Sequence, residues 1–167
     1  MKEIFDRRSV RTYTDRDVTP QEEEKLLRAA MQAPSAGNEQ PWEFIVLRDG
    51  EQMLKIEEGQ QYATMLKTAP LAIVVCGNTE CQRFPHDFWV QDCSAAIQNL
   101  LLEAVHLGLG GVWMGVYPVP ERVENIKKVL SLPESVIPLG VIAIGQPAQQ
   151  PQPADRYLPE RVHRDRW

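Results

Sequence analysis

The stretch from Asp87 to Leu107 constrains the fold more than any other part of the sequence. It has the length and spacing of one long helix, but apolar residues lie on almost every side of that helix. These residues are Trp89, Ala95, Ala96, Ile97, Leu100, Leu101, Leu102 and Val105. A helix without a clear polar face has to be covered all round. We therefore expect it to lie at the centre of the fold or in a subunit interface.

An earlier helix has a clear start signal. Thr19 can cap it, Pro20 suits its first turn, and Glu22 completes a capping box three residues after the cap. Pro34 predicts its end. The next seven residues, 35–41, have turn chemistry throughout and predict a loop.

Short apolar runs predict the strands of a sheet. They cover residues 42–47, 71–76, 112–117 and 136–144, and helical patterns cover 51–67, with a break near 59, and 120–130. Asp49 and Gly50 predict a turn after the first strand. Helices and strands that mix on one sheet define an α+β or layered α/β class. We expect one domain over residues 1–167.

The chain from Gly145 onward is rich in proline and glutamine, and we expect it to be extended. One interpretation is a disordered end. However, this tail also contains Arg156, Tyr157, Leu158 and Trp167, which are more anchoring side chains than a solvating tail needs.

Composition excludes several classes of partner. A net charge of −5 and a pI near 5.3 argue against a nucleic-acid surface. No apolar signal region opens the chain and no run approaches the ~18 apolar residues of a membrane helix, so we expect a cytoplasmic protein. Cys76, Cys81 and Cys93 have neither a disulfide pattern nor zinc spacing, which favours reduced thiols and no metal.

The segment Arg7-Arg8-Ser9-Val10-Arg11 places three guanidinium groups and a hydroxyl within five residues of an acidic chain. Guanidinium groups bind phosphate and carboxylate oxygens through paired hydrogen bonds. The cluster therefore predicts a site for a small anionic ligand. The alternative interpretation is a solvated, charged helix end.

No motif for a nucleophile, a phosphate loop or a zinc site is present, and the three histidines have no partner nearby in sequence. The glycines of 108–111 follow a helix and precede a strand, which is the reverse of the dinucleotide-binding order. Glycines there suggest a backbone that closely approaches a flat group. An anion site without a catalytic side chain is typical of a protein whose chemistry belongs to a bound cofactor.

Four motifs in order resemble the FMN-dependent nitroreductase family over nearly the whole chain. They are the arginine segment at 7–11, Ala33-Pro34-Ser35-Ala36-Gly37-Asn38-Glu39-Gln40-Pro41-Trp42, the helix motif at 91–100, and Gly108-Leu109-Gly110-Gly111-Val112-Trp113-Met114-Gly115. Each motif alone is a moderate signal, and their shared order and spacing make the resemblance specific.

The resemblance implies a central mixed or antiparallel sheet flanked by helices, and an intertwined homodimer with FMN at its interface. The arginine segment would hold the phosphate, the ribityl chain and a pyrimidine edge, the loop after Pro34 would come from the other subunit, and the strand at 113–115 would direct a backbone N–H at the flavin N5. Trp89 and Ala96 would pack the dimer core. The implied cofactor-binding residues are Arg7, Arg8, Ser9, Arg11, Pro34, Ser35, Ala36, Asn38, Gln40, Trp113, Met114, Gly115 and Arg156.

The family usually has a basic pair in its C-terminal segment, and here those positions are Ala154 and Arg156, so only the second is carried over. The resemblance also implies the activity. NAD(P)H would pass hydride to FMN in a ping-pong cycle, and a nitroaromatic, quinone or flavin would then accept it, with no catalytic side chain.

Three alternatives remain at this point. One is a specialised flavin enzyme on the same fold, such as a dehalogenase, an azoline-forming dehydrogenase or a flavin-destroying enzyme. Another is a non-catalytic FMN protein for storage or sensing. The third is a helical interaction protein that uses the apolar helix.

Overall fold

The computed structural model describes residues 2–149, 152 and 154–167. Its centre is a four-stranded antiparallel sheet with the order β1-β2-β4-β3. The strands are β1 (Trp42–Leu47), β2 (Leu71–Asn78), β3 (Gly110–Gly115) and β4 (Val136–Gly145). One isolated parallel bridge, from Ser9 to Gly111, adds the N-terminal segment beside β3. The predicted α+β class with an antiparallel sheet is confirmed.

Five α-helices surround the sheet in the described residues. They are α1 (Lys2–Asp6), α2 (Pro20–Ala30), α3 (Gly50–Glu58), α4 (Trp89–His106) and α5 (Pro120–Leu130). Short 3-10 turns occur at Ala36–Asn38, Thr64–Lys67, Thr79–Cys81 and Pro159–Arg161. The predicted capping box is present, since Thr19 Oγ1 accepts from the Glu22 N–H at 3.2 Å and the Glu22 carboxylate accepts from the Thr19 N–H at 2.9 Å.

Three predicted boundaries are wrong. The helix α2 ends at Ala30, four residues before Pro34, because the chain leaves the helix in a turn before the proline is reached. The strand predicted at 112–117 is β3, which runs two residues earlier, from Gly110 to Gly115. Asp49 and Gly50 do not form the predicted turn. Instead, the Asp49 carboxylate accepts from the Glu51 N–H at 2.9 Å and so caps α3, which begins at Gly50.

Each face of the sheet has its own apolar core. The helices α2 and α4 cover the face that contains Leu71, Ile73 and Val75, and α3 and α5 cover the opposite face. Both faces of β2 and β4 are therefore buried, which explains their continuous apolar sequences. Trp42 belongs to the first of these cores.

The long apolar helix is covered mainly by its own chain. Trp89 is 1% exposed, lies against Gly77 of β2 and makes an edge-on contact with Tyr117 at a ring-centroid distance of 5.0 Å. Ala96 is fully buried in the same core. The expectation that Trp89 and Ala96 pack a dimer core is therefore wrong, because the sheet and α2 already cover them.

The remaining expectations concern the cysteines and the tail. Cys76 and Cys93 are buried free thiols, and Cys81 is exposed. No described helix has the length and hydropathy that crossing a bilayer needs. In the tail, Tyr157, Leu158 and Trp167 are exposed, and residues 150, 151 and 153 lie outside the described residues.

Candidate cofactor site

A cavity of about 280 Å³ lies along the outer edge of β3. Four of the residues predicted from the motifs line it: Arg11, Trp113, Met114 and Gly115. The complete lining is Arg11, Gln60, Tyr62, Met65, Val112, Trp113, Met114, Gly115 and Arg122. None of these residues carries a carboxylate, so the cavity contains two guanidinium groups and no opposing charge of its own.

The backbone of β3 offers hydrogen-bond donors at this edge. Val10 N–H donates to the Gly111 carbonyl at 3.1 Å, and Arg122 Nη1 donates to the Gly115 carbonyl at 3.0 Å, so both carbonyls point away from β4. Backbone direction alternates along a strand, and Trp113 and Gly115 therefore also direct their N–H groups outward. Met114 faces the opposite way, with its backbone toward β4 and its side chain buried.

One further observation shows room for a ligand at this edge. A side-chain carbon added at Gly115 would meet no atom within 4 Å, so open space lies beside the end of the strand. Gln60 also borders the cavity, but its Nε2 is buried without a hydrogen-bond partner among the described residues and does not face the open space.

Arg7 and Arg8 lie beside the C-terminal tail rather than inside this cavity. Arg8 donates to the carbonyls of Gln152 at 3.1 Å and Ala154 at 3.2 Å, and so fastens the tail to the end of α1. Burial, together with the charges of Arg156 and Arg8, lowers the pKa of Arg7. Among the described residues no carboxylate forms an ion pair with Arg7, Arg8 or Arg156. These three guanidinium groups therefore make a positively charged cluster that an anion would stabilise.

The loop from Pro34 to Gln40 has a constrained backbone. Gly37, Asn38 and Gln40 all have φ between 51° and 55°, a region that asparagine tolerates and glutamine adopts at a cost. Ser35 Oγ accepts from the Gln40 N–H at 3.0 Å, and the Ala36 N–H donates to Asp92 Oδ1 on α4 at 3.0 Å. Packing and hydrogen bonds thus hold this loop in one shape.

The loop and the cavity lie on opposite edges of the sheet. The loop leads into β1, whereas the cavity follows β3, and β2 and β4 lie between them. Three inter-strand spacings separate the two edges by about 14 Å. Within one chain, therefore, the structure does not bring Pro34, Ser35, Ala36, Asn38 and Gln40 to the cavity that Arg11 and Gly115 line.

Asp92 beneath the loop gives a pH-dependent prediction. Burial raises the pKa of this carboxyl, an effect that the Ala36 N–H opposes and the charge of Glu39 reinforces. An acid with a raised native pKa binds protons more tightly in the folded state, so it gains stability as the pH falls toward the ordinary value of 3.8. We expect the melting temperature of the wild type to rise relative to that of Asp92→Asn between pH 7 and pH 4.

The exposed Asp15 provides the matched control for this comparison. Asp15→Asn should track the wild type over the same pH range, because its carboxyl stays in water in both states. A constant difference between the wild type and Asp92→Asn across that range would contradict the assignment of a raised pKa to Asp92.

Five residues of the cavity were not assigned from the sequence, and one of them, Val112, adjoins the predicted strand residues. Gln60, Tyr62 and Met65 come from the interrupted helical stretch after α3, and Arg122 comes from the first turn of α5. The break predicted near residue 59 was the only signal for the first three. No local pattern marks Arg122.

Taken together, the fold and the cavity define an α+β protein with an open, donor-rich cavity at one edge of its sheet. The sequence profile of the Nitroreductase family matches residues 4–146. The chain belongs to the nitroreductase family.

Known proteins resemble the chain over its full length. A provisionally named NADH dehydrogenase/NAD(P)H nitroreductase from Archaeoglobus fulgidus is 46% identical, and the match covers 100% of this chain and 98% of the relative. A provisionally named NADH oxidase from Clostridium acetobutylicum has a TM-score of 0.95 at 46% identity, with 99% of each chain covered. A provisionally named nitroreductase from Desulfovibrio desulfuricans, solved in complex with FMN, has a TM-score of 0.86 at 31% identity, covering 99% of this chain and 96% of that one.

Proposed function

We propose that this protein is an FMN-dependent NAD(P)H oxidoreductase of the nitroreductase type. The observation that carries the proposal is the cavity at the edge of β3, where guanidinium and backbone donors converge without a carboxylate in its lining. The FMN complex of the Desulfovibrio relative and the name of the Archaeoglobus relative support the choice of cofactor and of electron donor.

The residues present fit the cofactor. The open space at Gly115 allows a planar ring to lie close to the strand, and the Arg11 guanidinium in the lining supplies a donor for the ring's carbonyl edge. When bound, FMN supplies the redox chemistry, by accepting hydride from NAD(P)H and passing reducing equivalents to a nitroaromatic, quinone or flavin. The outward N–H groups of Trp113 and Gly115 would then stabilise negative charge at the ring edge in the way that an oxyanion hole does.

The cluster at the tail accounts for the phosphate. Arg7, Arg8 and Arg156 come from two separate segments, and Ser9 lies beside them on the bridge to Gly111. A phosphate monoester carries close to two negative charges, which such a cluster can neutralise through charge-assisted hydrogen bonds. We assign these four residues to the phosphate and Arg11, which lines the cavity, to the pyrimidine edge.

The separation of the loop from the cavity supports a homodimer. The strands β2 and β4 lie between the two edges, so a loop residue borders a flavin at the β3 edge only when a second copy presents it. We therefore infer two sites per dimer, each formed by the β3 edge of one chain and the 34–40 loop of the other. The fixed shape of that loop suits this role, because a loop ordered in advance loses little entropy on association.

The acceptor class follows from what surrounds the cavity mouth. Tyr62 is 71% exposed and Trp113 is 37% exposed, so two aromatic rings stand near the opening. Aromatic side chains favour flat aromatic ligands by stacking. This favours a nitroaromatic, quinone or free flavin as the acceptor.

Purified protein tests the proposal directly. We expect a visible flavin absorbance spectrum, one FMN released per chain, and oxidation of NADH or NADPH that depends on an added acceptor such as a quinone. A bound flavin without turnover would instead indicate a storage or sensing protein. A colourless protein that remains colourless with excess FMN would contradict the proposal altogether.

Removing the Arg11 guanidinium is expected to weaken FMN binding about tenfold. Hydrogen bonds to a charged group contribute roughly 1.5–3 kcal/mol, and about 1.4 kcal/mol corresponds to a factor of ten. Fluorescence titration of apoprotein with FMN measures the dissociation constant of Arg11→Ala. Arg28→Ala on the exposed face of α2 is the control and should bind FMN like the wild type. Equal affinity in both variants would remove Arg11 from the site.

A further inference from the structure

Arg122 holds the last peptide of the strand edge. It lies in the first turn of α5 (Pro120–Leu130), where its Nη1 donates to the Gly115 carbonyl at 3.0 Å, and it also lines the cavity. Gly115 ends β3 and has no strand on its outer side among the described residues. No carboxylate among the described residues forms an ion pair with Arg122. Its charge is therefore not neutralised by a neighbour and remains directed at the cavity.

The geometry around Gly115 gives this contact its importance. The Gly115 carbonyl and the Val116 N–H belong to one peptide, and this peptide is held from both sides. The carbonyl accepts from Arg122, and the Val116 N–H donates to the Leu139 carbonyl at 3.0 Å. The hydrogen bond therefore keeps the Arg122 guanidinium against a fixed point at the end of the strand, at the wall of the cavity.

We propose that Arg122, held at the cavity wall by its hydrogen bond to the Gly115 carbonyl, makes bound FMN easier to reduce through its unneutralised charge. The inference rests on the proposed function, because it requires FMN in the cavity. Reduction adds negative charge to the flavin, and a fixed cation at the cavity wall favours the reduced form over the oxidised one. Arg11 is the other cation in the cavity lining, and Arg122 differs from it by its hydrogen bond to the strand backbone.

The test is a redox titration of the FMN-loaded protein. We expect Arg122→Met to bind reduced FMN about tenfold less tightly relative to oxidised FMN, which for a two-electron couple lowers the midpoint potential by about 30 mV. Arg122→Lys keeps the charge and one donor, and should recover most of the difference. Arg28→Met, which removes an exposed arginine of α2 paired with Glu24, is the matched control and should leave the potential unchanged.

Other readouts separate this role from a merely structural one. A structural arginine would lower the melting temperature without moving the potential, so an unchanged potential in Arg122→Met with FMN bound overturns the inference. If Arg122→Met does not retain FMN, the potential of Arg122→Gln is measured instead, because glutamine keeps a hydrogen-bond donor and removes the charge. A lowered potential in Arg122→Gln supports the inference, and a wild-type potential overturns it. Failure of the proposed function is distinct, because the wild type itself would then bind no FMN.

Discussion

Replacing Gly115 with valine is expected to weaken FMN binding about a hundredfold while the protein remains folded. A Cβ atom at this position meets no atom of the chain within 4 Å, and the backbone does not adopt the left-handed region, so the fold has room for a side chain to begin there. The same space borders the cavity, where a branched side chain would push a planar ring away from the strand. Overpacking of this kind costs roughly 1–3 kcal/mol. Fluorescence titration gives the affinity, and thermal unfolding checks the fold.

A graded series strengthens this test. Gly115→Ala should lose less affinity than Gly115→Val, because it adds a single carbon. Gly50, the first residue of α3, likewise has open space where a side chain would begin, and Gly50→Ala is therefore the control that should bind FMN normally. If Gly115→Val retained FMN with wild-type affinity, the ring would have to lie elsewhere than beside the end of β3.

Replacing Trp89 with alanine is expected to lower the free energy of unfolding by about 3–5 kcal/mol. The side chain is one of the largest that the core fully buries, and it fills the space between Gly77 and Tyr117. Alanine would leave a cavity that the sheet and α4 cannot close completely. Denaturant unfolding at several protein concentrations measures the loss and reveals any contribution from association.

Trp167 gives the control for that substitution because it is fully exposed at the end of the chain. Trp167→Ala removes the same side chain and should change the free energy of unfolding by less than about 0.5 kcal/mol. A small effect at Trp89 and a comparable one at Trp167 would show that the core does not depend on the indole at position 89.

Local patterns were enough to predict most of the fold. Capping chemistry placed the start of α2, and continuous apolar runs placed β2 and β4, because each signal depends on residues close together in sequence. The sequence also predicts the apolar helix α4, but it does not predict what packs against that helix. The spacing of apolar residues indicates that Trp89 and Ala96 are buried. It does not indicate whether residues of the same chain or of a second chain bury them.

The candidate site was predictable only in part for a related reason. Arg11 and the strand at 113–115 belong to motifs whose residues are consecutive, and the structure brings them to one cavity. Gln60 and Arg122 join that cavity from segments about 50 and 110 residues further along the chain than Arg11, through tertiary packing that no local spacing encodes. The hydrogen bonds from Arg8 to the tail likewise depend on residues more than 140 positions apart.

The placement of the 34–40 loop and the β3 cavity at opposite edges of the sheet has an evolutionary consequence. If each site combines one feature from each of two copies, a substitution in the loop changes the chemistry performed in the neighbour's cavity and leaves its own chain's cavity untouched. In a cell that expresses two alleles, hybrid assemblies would then contain two unlike sites. Selection would act on the pair of molecules together, and neither copy could be optimised alone.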